Sequence, residues 1–136
     1  MTVLGVGLDL VSIPEFSEQL RQPGTRFTDA FTAGERRDAR AGAGDAERSL
    51  AARWAAKEAV IKAWSVSRFA RRPALPMIVH SDIEVVTDNW GRPAIRLSGA
   101  IGDYLAQARI HVSLTHDGDT AAAVVILEES LGDDES

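Results

Sequence analysis

Residues 50–64 read LAARWAAKEAVIKAW. The run contains neither Gly nor Pro and is dominated by Ala, so it predicts a helix. It also holds both lysines of the chain, Lys57 and Lys62, against thirteen arginines in the chain as a whole. At about 100° per residue, Leu50, Trp54, Ile61 and Trp64 share one apolar stripe expected to anchor the core. Lys57 projects into that stripe, where nothing in the sequence explains it. Glu58 and Lys62 lie one turn apart along the edge. Charges at the margin of an aromatic face, rather than opposite it, mark a candidate wall of a site.

Working outward, the N-terminal stretch Thr2–Val11 (TVLGVGLDLV) reads as a buried strand with apolar residues on both faces. Asp9 interrupts it. A carboxylate in an apolar strand is costly unless it is paired or bound to a cation, and two readings stand: a cation ligand, or a cap for the next helix. Ser12 can cap a helix that begins near Ile13, with Pro14 in its first turn, and ends near Gln22. A short helix is expected over Arg26–Phe31. Thr32 and Glu35 have capping-box spacing at the start of another, which gives Glu35 a structural role. Arg40–Asp45 is a break, with Asp45 a cap for the long helix at about 46–65. Residues 65–81 form a loop carrying Arg68, Arg71 and Arg72, read either as an anion-binding cluster or as solvated arginines.

The second half predicts strands. Asp82–Thr87 and Ala94–Leu97 flank a turn at 88–93. Ser98 is a cap for a helix over Gly99–Ala106. Arg109–His116 alternates, with Ile110, Val112, Leu114 and His116 in phase. It meets the continuously apolar Thr120–Leu127 across Asp117-Gly118-Asp119, which makes an antiparallel hairpin with a central strand. Helices and antiparallel strands without a βαβ rhythm give an α+β class. Residues 1–128 read as a single domain and 129–136 as an acidic tail.

Composition narrows the function classes. At 136 residues the chain can bury a real core, and 45% hydrophobic with 26% charged residues is ordinary for a globular protein. A net charge of −5 argues against nucleic-acid binding. The absence of cysteine removes disulfides, thiolate metal sites and a Cys nucleophile. With no secretory signal and no apolar run of membrane-spanning length, a cytoplasmic protein with no membrane contact is expected.

Two carboxylates on separate rigid elements, Asp9 and Glu58, suit Mg²⁺, which takes one or two protein carboxylates and leaves room for substrate phosphates. Lys62 would meet a phosphate as a point charge, and Ser113, Thr115 and His116 could donate to another. Phosphoryl-type transfer suits such a set. The competing reading makes Glu58–Lys62 a surface pair worth about 0.3–0.5 kcal/mol and His116 a turn residue. No phosphate-cradling glycine loop is present.

Four segments, GVGLDLVSI at 5–13, LAARWAAKEAVIKAW at 50–64, GRP at 91–93 and HVSLTHDGDTAAAVVI at 111–126, together resemble the holo-acyl-carrier-protein synthases, the small bacterial-type 4′-phosphopantetheinyl transferases. The resemblance implies an antiparallel sheet packed on the long helix. It implies transfer of the phosphopantetheine arm of coenzyme A to a serine of an apo acyl carrier protein, with adenosine 3′,5′-bisphosphate released, in fatty acid biosynthesis. By position, Asp9 and Glu58 resemble the Mg²⁺ ligands, and Lys62 resembles the residue facing the phosphates. Ser113, Thr115 and His116 resemble phosphate contacts, Arg53 the residue reaching the 3′-phosphate, and Gly91, Arg92 and Pro93 the loop against the adenine. For the serine proton, Glu58 through a bound water is the first candidate and Glu35 the second. The resemblance also implies a homotrimer with active sites between protomers. Two other classes compete with the transferase: a module that binds coenzyme A or a carrier without transfer, and a Mg²⁺-dependent phosphohydrolase.

One departure from the family pattern concerns the first helix. Many relatives carry arginines there that grip an acidic carrier, whereas Ile13–Arg21 has two acids and one base. The expected partner is therefore a carrier domain of a larger synthase, or a carrier docked through Arg68, Arg71 and Arg72.

Overall fold

The computed structural model describes residues 2–42 and 45–130. Ten residues of strand β1, Val3–Ser12, lead directly into helix α1, Ile13–Arg21. Ser12 Oγ accepts the Glu15 N–H at 3.3 Å, so the expected cap forms. A 3₁₀ turn at Phe27–Ala30 replaces the short helix expected there. Helix α2, Ala33–Ala41, opens on the Thr32–Glu35 capping box, with reciprocal bonds of 3.1 and 3.0 Å. Helix α3, Ala46–Ser67, is capped by Asp45, whose side chain accepts the Glu47 N–H.

Strands β2, Ile83–Thr87, and β3, Pro93–Leu97, form a separate two-stranded sheet. Helix α4 is short, Gly99–Tyr104. Ser98 does not cap it; its hydroxyl donates to Asp82 Oδ1 at 3.3 Å instead. Strands β4, Ala108–Asp117, and β5, Thr120–Glu129, make the expected hairpin. The main sheet is antiparallel with order β1-β5-β4, so β5 is central as its unbroken apolar run predicted. The α+β class and the packing of an antiparallel sheet on the long helix both hold. Of the expected acidic tail, residues 131–136 lie outside the described residues.

The packing of α3 differs from its expected stripe. Leu50, Trp54 and Ile61 are only half-buried. The buried surface is made of Ala51, Ala52, Ala55, Ala56, Ala59 and Ala63, with Val60 and Trp64. Small side chains let the sheet come close. A Cβ on Gly5 would collide with the Ala63 carbonyl, and one on Gly7 with the Ala59 carbonyl. These glycines allow backbone-to-backbone contact between β1 and α3, which explains why the helix is rich in Ala rather than Leu.

The same contact overturns the expectation that β1 is buried on both faces. Only its glycine face is covered. Val6, Leu8 and Leu10 are 52–68% exposed on the other face. They pair with Ile126, Val124 and Ala122 of β5, which in turn pair with His111, Ser113 and Thr115 of β4. The outer face of the sheet is therefore an apolar band on two strands and polar on the third.

Lys57 is resolved by α2 and β2. Its side chain is fully buried, and Nζ donates to Glu35 Oε1 at 2.8 Å, to the His80 carbonyl at 3.1 Å and to the Ile83 carbonyl. The Phe31 ring lies 5.3 Å from the ammonium. Burial pushes the Lys57 pKa down, opposed by the hydrogen bond and charge of Glu35. Glu35 also accepts the Val85 N–H at 2.8 Å. It is 1% exposed and spent on this network, so it is not the proton acceptor that was its second expected role.

Candidate active site

Asp9 lies in phase with Gly5 and Gly7, so the strand turns its carboxylate toward α3. There Asp9 Oδ1 accepts from Lys62 Nζ at 2.9 Å, and the same ammonium donates to the Leu8 carbonyl at 3.1 Å. Glu58 sits one turn before Lys62. Asp9 and Glu58 line one cleft, together with Ser12, Glu15, Phe16, Gln19 and Trp54. The Asp9 reading as a helix cap gives way, because Ser12 performs that task.

Glu58 has a partner that the sequence did not reveal. His80 Nε2 lies 2.7 Å from Glu58 Oε2, and the His80 ring stacks on Trp54 with centroids 4.5 Å apart and planes at 21°. The hydrogen bond from His80 holds the Glu58 carboxyl below the usual carboxylate range. The charges of His80 and Lys62 add to it, and partial burial opposes it. A carboxylate held low is a poor direct base but a good cation ligand. His80 falls in the stretch read as a loop, where a 3₁₀ turn, His80–Asp82, feeds β2. The only signal was a histidine placed just before a strand.

The remaining expected site residues gather on the other flank of α3. Five residues separate Arg53 from Glu58, about 140° around the helix. Arg53, Arg48, Ser49, Gly91, Pro93, Thr115 and His116 line a broad groove. Arg53 is 8% exposed; its guanidinium donates to Ser49 Oγ and to the Ser49 carbonyl. Its Nε is buried without a partner among the described residues, so this group lacks an acceptor. His116 Nδ1 lies 3.5 Å from Arg48. Gly91 takes the left-handed turn conformation, φ 81°, that brings the loop to the groove.

Two expected groupings do not form. Strand alternation puts Ser113 and Thr115 on the outer face of the sheet, opposite His116; Thr115 still borders the groove at the end of β4, but one protomer cannot present Ser113 and His116 to one phosphate. Arg92 does not line the groove; it pairs with Asp88 at 2.6 Å and lies over the Trp90 ring. The set is thus divided: Asp9, Glu58 and Lys62 on the β1 flank, and Arg53, Gly91, Pro93, Thr115 and His116 on the β4 flank.

No group of three metal-ligating side chains occurs among the described residues. The donor set still suits a hard divalent cation, since two oxygen ligands converge on a polar cleft and such ions complete their shells with water or phosphate. No helix of the described residues is long and apolar enough to cross a membrane.

Residues 5–125 match the family model described as the 4′-phosphopantetheinyl transferase superfamily. A holo-[acyl-carrier-protein] synthase of Mycobacterium tuberculosis is 70% identical over 128 residues, covering 94% of this chain and 98% of that protein. A solved structure of acyl carrier protein synthase from Mycobacterium tuberculosis superposes with TM-score 0.79 at 64% identity, covering 94% of this chain and 99% of that one. A coenzyme A complex of the Chronobacterium ammoniagenes protein gives TM-score 0.85 at 42% identity, with 92% and 96% covered.

Proposed function

The chain belongs to the 4′-phosphopantetheinyl transferase superfamily, and from that premise we propose how its two depressions divide one reaction. The enzyme transfers the 4′-phosphopantetheine arm of coenzyme A to an apo acyl carrier protein. The carrier serine oxygen forms a bond to the β-phosphorus as its proton passes through a water to Glu58, the bond from that phosphorus to the bridging oxygen breaks, and adenosine 3′,5′-bisphosphate leaves.

In our reading Asp9 and Glu58 hold Mg²⁺, which when bound neutralises charge on the pyrophosphate. Lys62 meets the charge that develops on the leaving group. Arg53 takes the 3′-phosphate, which supplies the acceptor its Nε lacks. Gly91 and Pro93 border the adenine, and Thr115 and His116 donate to phosphate. The observation that carries this reading is the convergence of Asp9 and Glu58 on one cleft, with Lys62 bonded to Asp9.

A homotrimer with sites between protomers accounts for the division. One coenzyme A molecule would then contact the β1 flank of one copy and the β4 flank of the next. The exposed band of Val6, Leu8 and Leu10 is the kind of surface that a second copy covers. Ser113 shares that outer face, so in the trimer it faces the neighbour rather than its own His116. Residues 1–128 act as one domain, in the cytoplasm.

The carrier itself docks, in this proposal, away from α1, where Glu15 and Glu18 are exposed. Residues 66–79 contain three arginines and no acid, with Phe69 88% exposed among them. Replacing Arg71 and Arg72 by serine should slow modification of an acidic carrier and flatten its salt dependence. Unchanged rates would remove the loop from docking.

The decisive test incubates the protein with coenzyme A, MgCl₂ and an apo carrier and weighs the carrier by mass spectrometry. A gain of one phosphopantetheine is expected, abolished by chelator and by Glu58→Gln. A chelator-resistant gain, or full activity in Glu58→Gln, would refute the metal assignment.

A further inference from the structure

Glu58 and Lys62 are placed to spoil each other. A Glu one turn before a Lys on a helix is the favourable order for an ion pair. Were that pair closed, both carboxylates assigned to the cation, Glu58 as well as Asp9, would be tied to the one ammonium. The structure keeps them apart. Lys62 turns to Asp9 and the Leu8 carbonyl, while Glu58 turns to His80.

His80 is fixed for this task from three directions. Its ring lies flat on Trp54. Its carbonyl accepts from the buried Lys57 ammonium at 3.1 Å. The turn it begins runs straight into β2, which Glu35 pins through the Val85 N–H. With the ring so held, Nε2 points at Glu58 Oε2, and a proton on Nε2 makes the ring the donor. Among the described residues His80 supplies the only hydrogen bond to the Glu58 carboxylate, which leaves its second oxygen free.

Resting on the assignment of Asp9 and Glu58 to the cation, we propose that His80 is a positioning residue that holds the Glu58 carboxylate off Lys62 and presents it to the metal. The ring must both stack and donate. Phenylalanine at this position would stack only, and Glu58 would swing to Lys62.

The test uses the intact protein and Mg²⁺ alone, titrated by calorimetry without substrates, with Mn²⁺ binding followed by electron paramagnetic resonance. His80→Phe should weaken Mg²⁺ binding about tenfold or more, the usual scale for losing an outer-shell partner. His80→Gln, which keeps a donor, should bind more tightly than His80→Phe. The Mg²⁺ concentration for half-maximal transfer should rise in step in His80→Phe, with kcat recovering at saturating Mg²⁺. His80→Leu serves in place of His80→Phe should that variant not fold. If Asp9→Asn and Glu58→Gln leave wild-type Mg²⁺ binding intact, the metal assignment fails and this inference with it. If those two variants abolish binding while His80→Phe binds as tightly as wild type, only the role of His80 fails. A His80→Gln variant as weak as His80→Phe also overturns it, because a donor would then not be what matters.

Discussion

Replacing Lys57 by methionine isolates what one buried cation contributes. The substitution nearly conserves volume, so its cost is electrostatic rather than a cavity. It strips the buried Glu35 carboxylate of its cation and leaves the His80 and Ile83 carbonyls without their shared donor. Glu35 keeps two backbone donors, Thr32 and Val85, which soften the loss without neutralising the charge. Breaking a buried pair from one side costs about 3–5 kcal/mol. With an unfolding entropy of about 2.1 cal/mol/K per residue, a chain of 136 residues loses roughly 10–17 °C in Tm for that cost. Circular dichroism melts at matched protein concentration measure it. A fall of less than about 3 °C, below even 1 kcal/mol on the same scale, would mean that the pair is solvated in solution and that the network around Glu35 has been misread.

Three further outcomes follow from the geometry. Gly7→Ala forces a methyl into the Ala59 carbonyl, so it should lower stability by about 1–3 kcal/mol or more and displace Asp9; a wild-type melt with full activity would disprove the close approach. The Glu58 carboxyl is held below its unfolded value, so its contribution is complete above about pH 4.3 and lost as pH falls through the folded value. Glu58→Gln should therefore be less stable than wild type at neutral pH, and denaturation curves that already coincide at pH 6 would contradict the His80 bond. Leu8→Asp with Leu10→Asp should convert a trimer to monomers in light scattering and abolish transfer, whereas co-refolding inactive Glu58→Gln and Arg53→Ala chains should restore activity if each site draws on two copies. A light-scattering mass unchanged by the paired aspartates would move the interface elsewhere.

Local rules read well from the sequence. The caps at Ser12 and Asp45, the Thr32–Glu35 box and the hairpin around Gly118 each depend on residues a few positions apart, and each formed. What failed depended on distant partners. Lys57 looked misplaced because its acceptors lie 22, 23 and 26 residues away on α2 and around β2. Gly5 and Gly7 carried no meaning until α3 was seen pressed against them. Asp9 and Glu58 were paired in the sequence reading and do line one cleft, but His80 had no periodic pattern to betray it. The outer sheet face misled because an apolar strand looks the same in sequence whether one of its faces or both are covered by its own core.

The alanines of α3 act as a spacer. Because side chains of one carbon separate helix from sheet, the distance between the two flanking depressions is set by backbone thickness rather than by packing of long, adaptable groups. A larger residue at Ala56, Ala59 or Ala63 cannot be absorbed by a rotamer change nearby, since those positions are 0% exposed. The added width would pass to both flanks at once and separate Asp9 from Glu58. At these positions, which carry no charge of their own, catalysis should tolerate less variation than folding does.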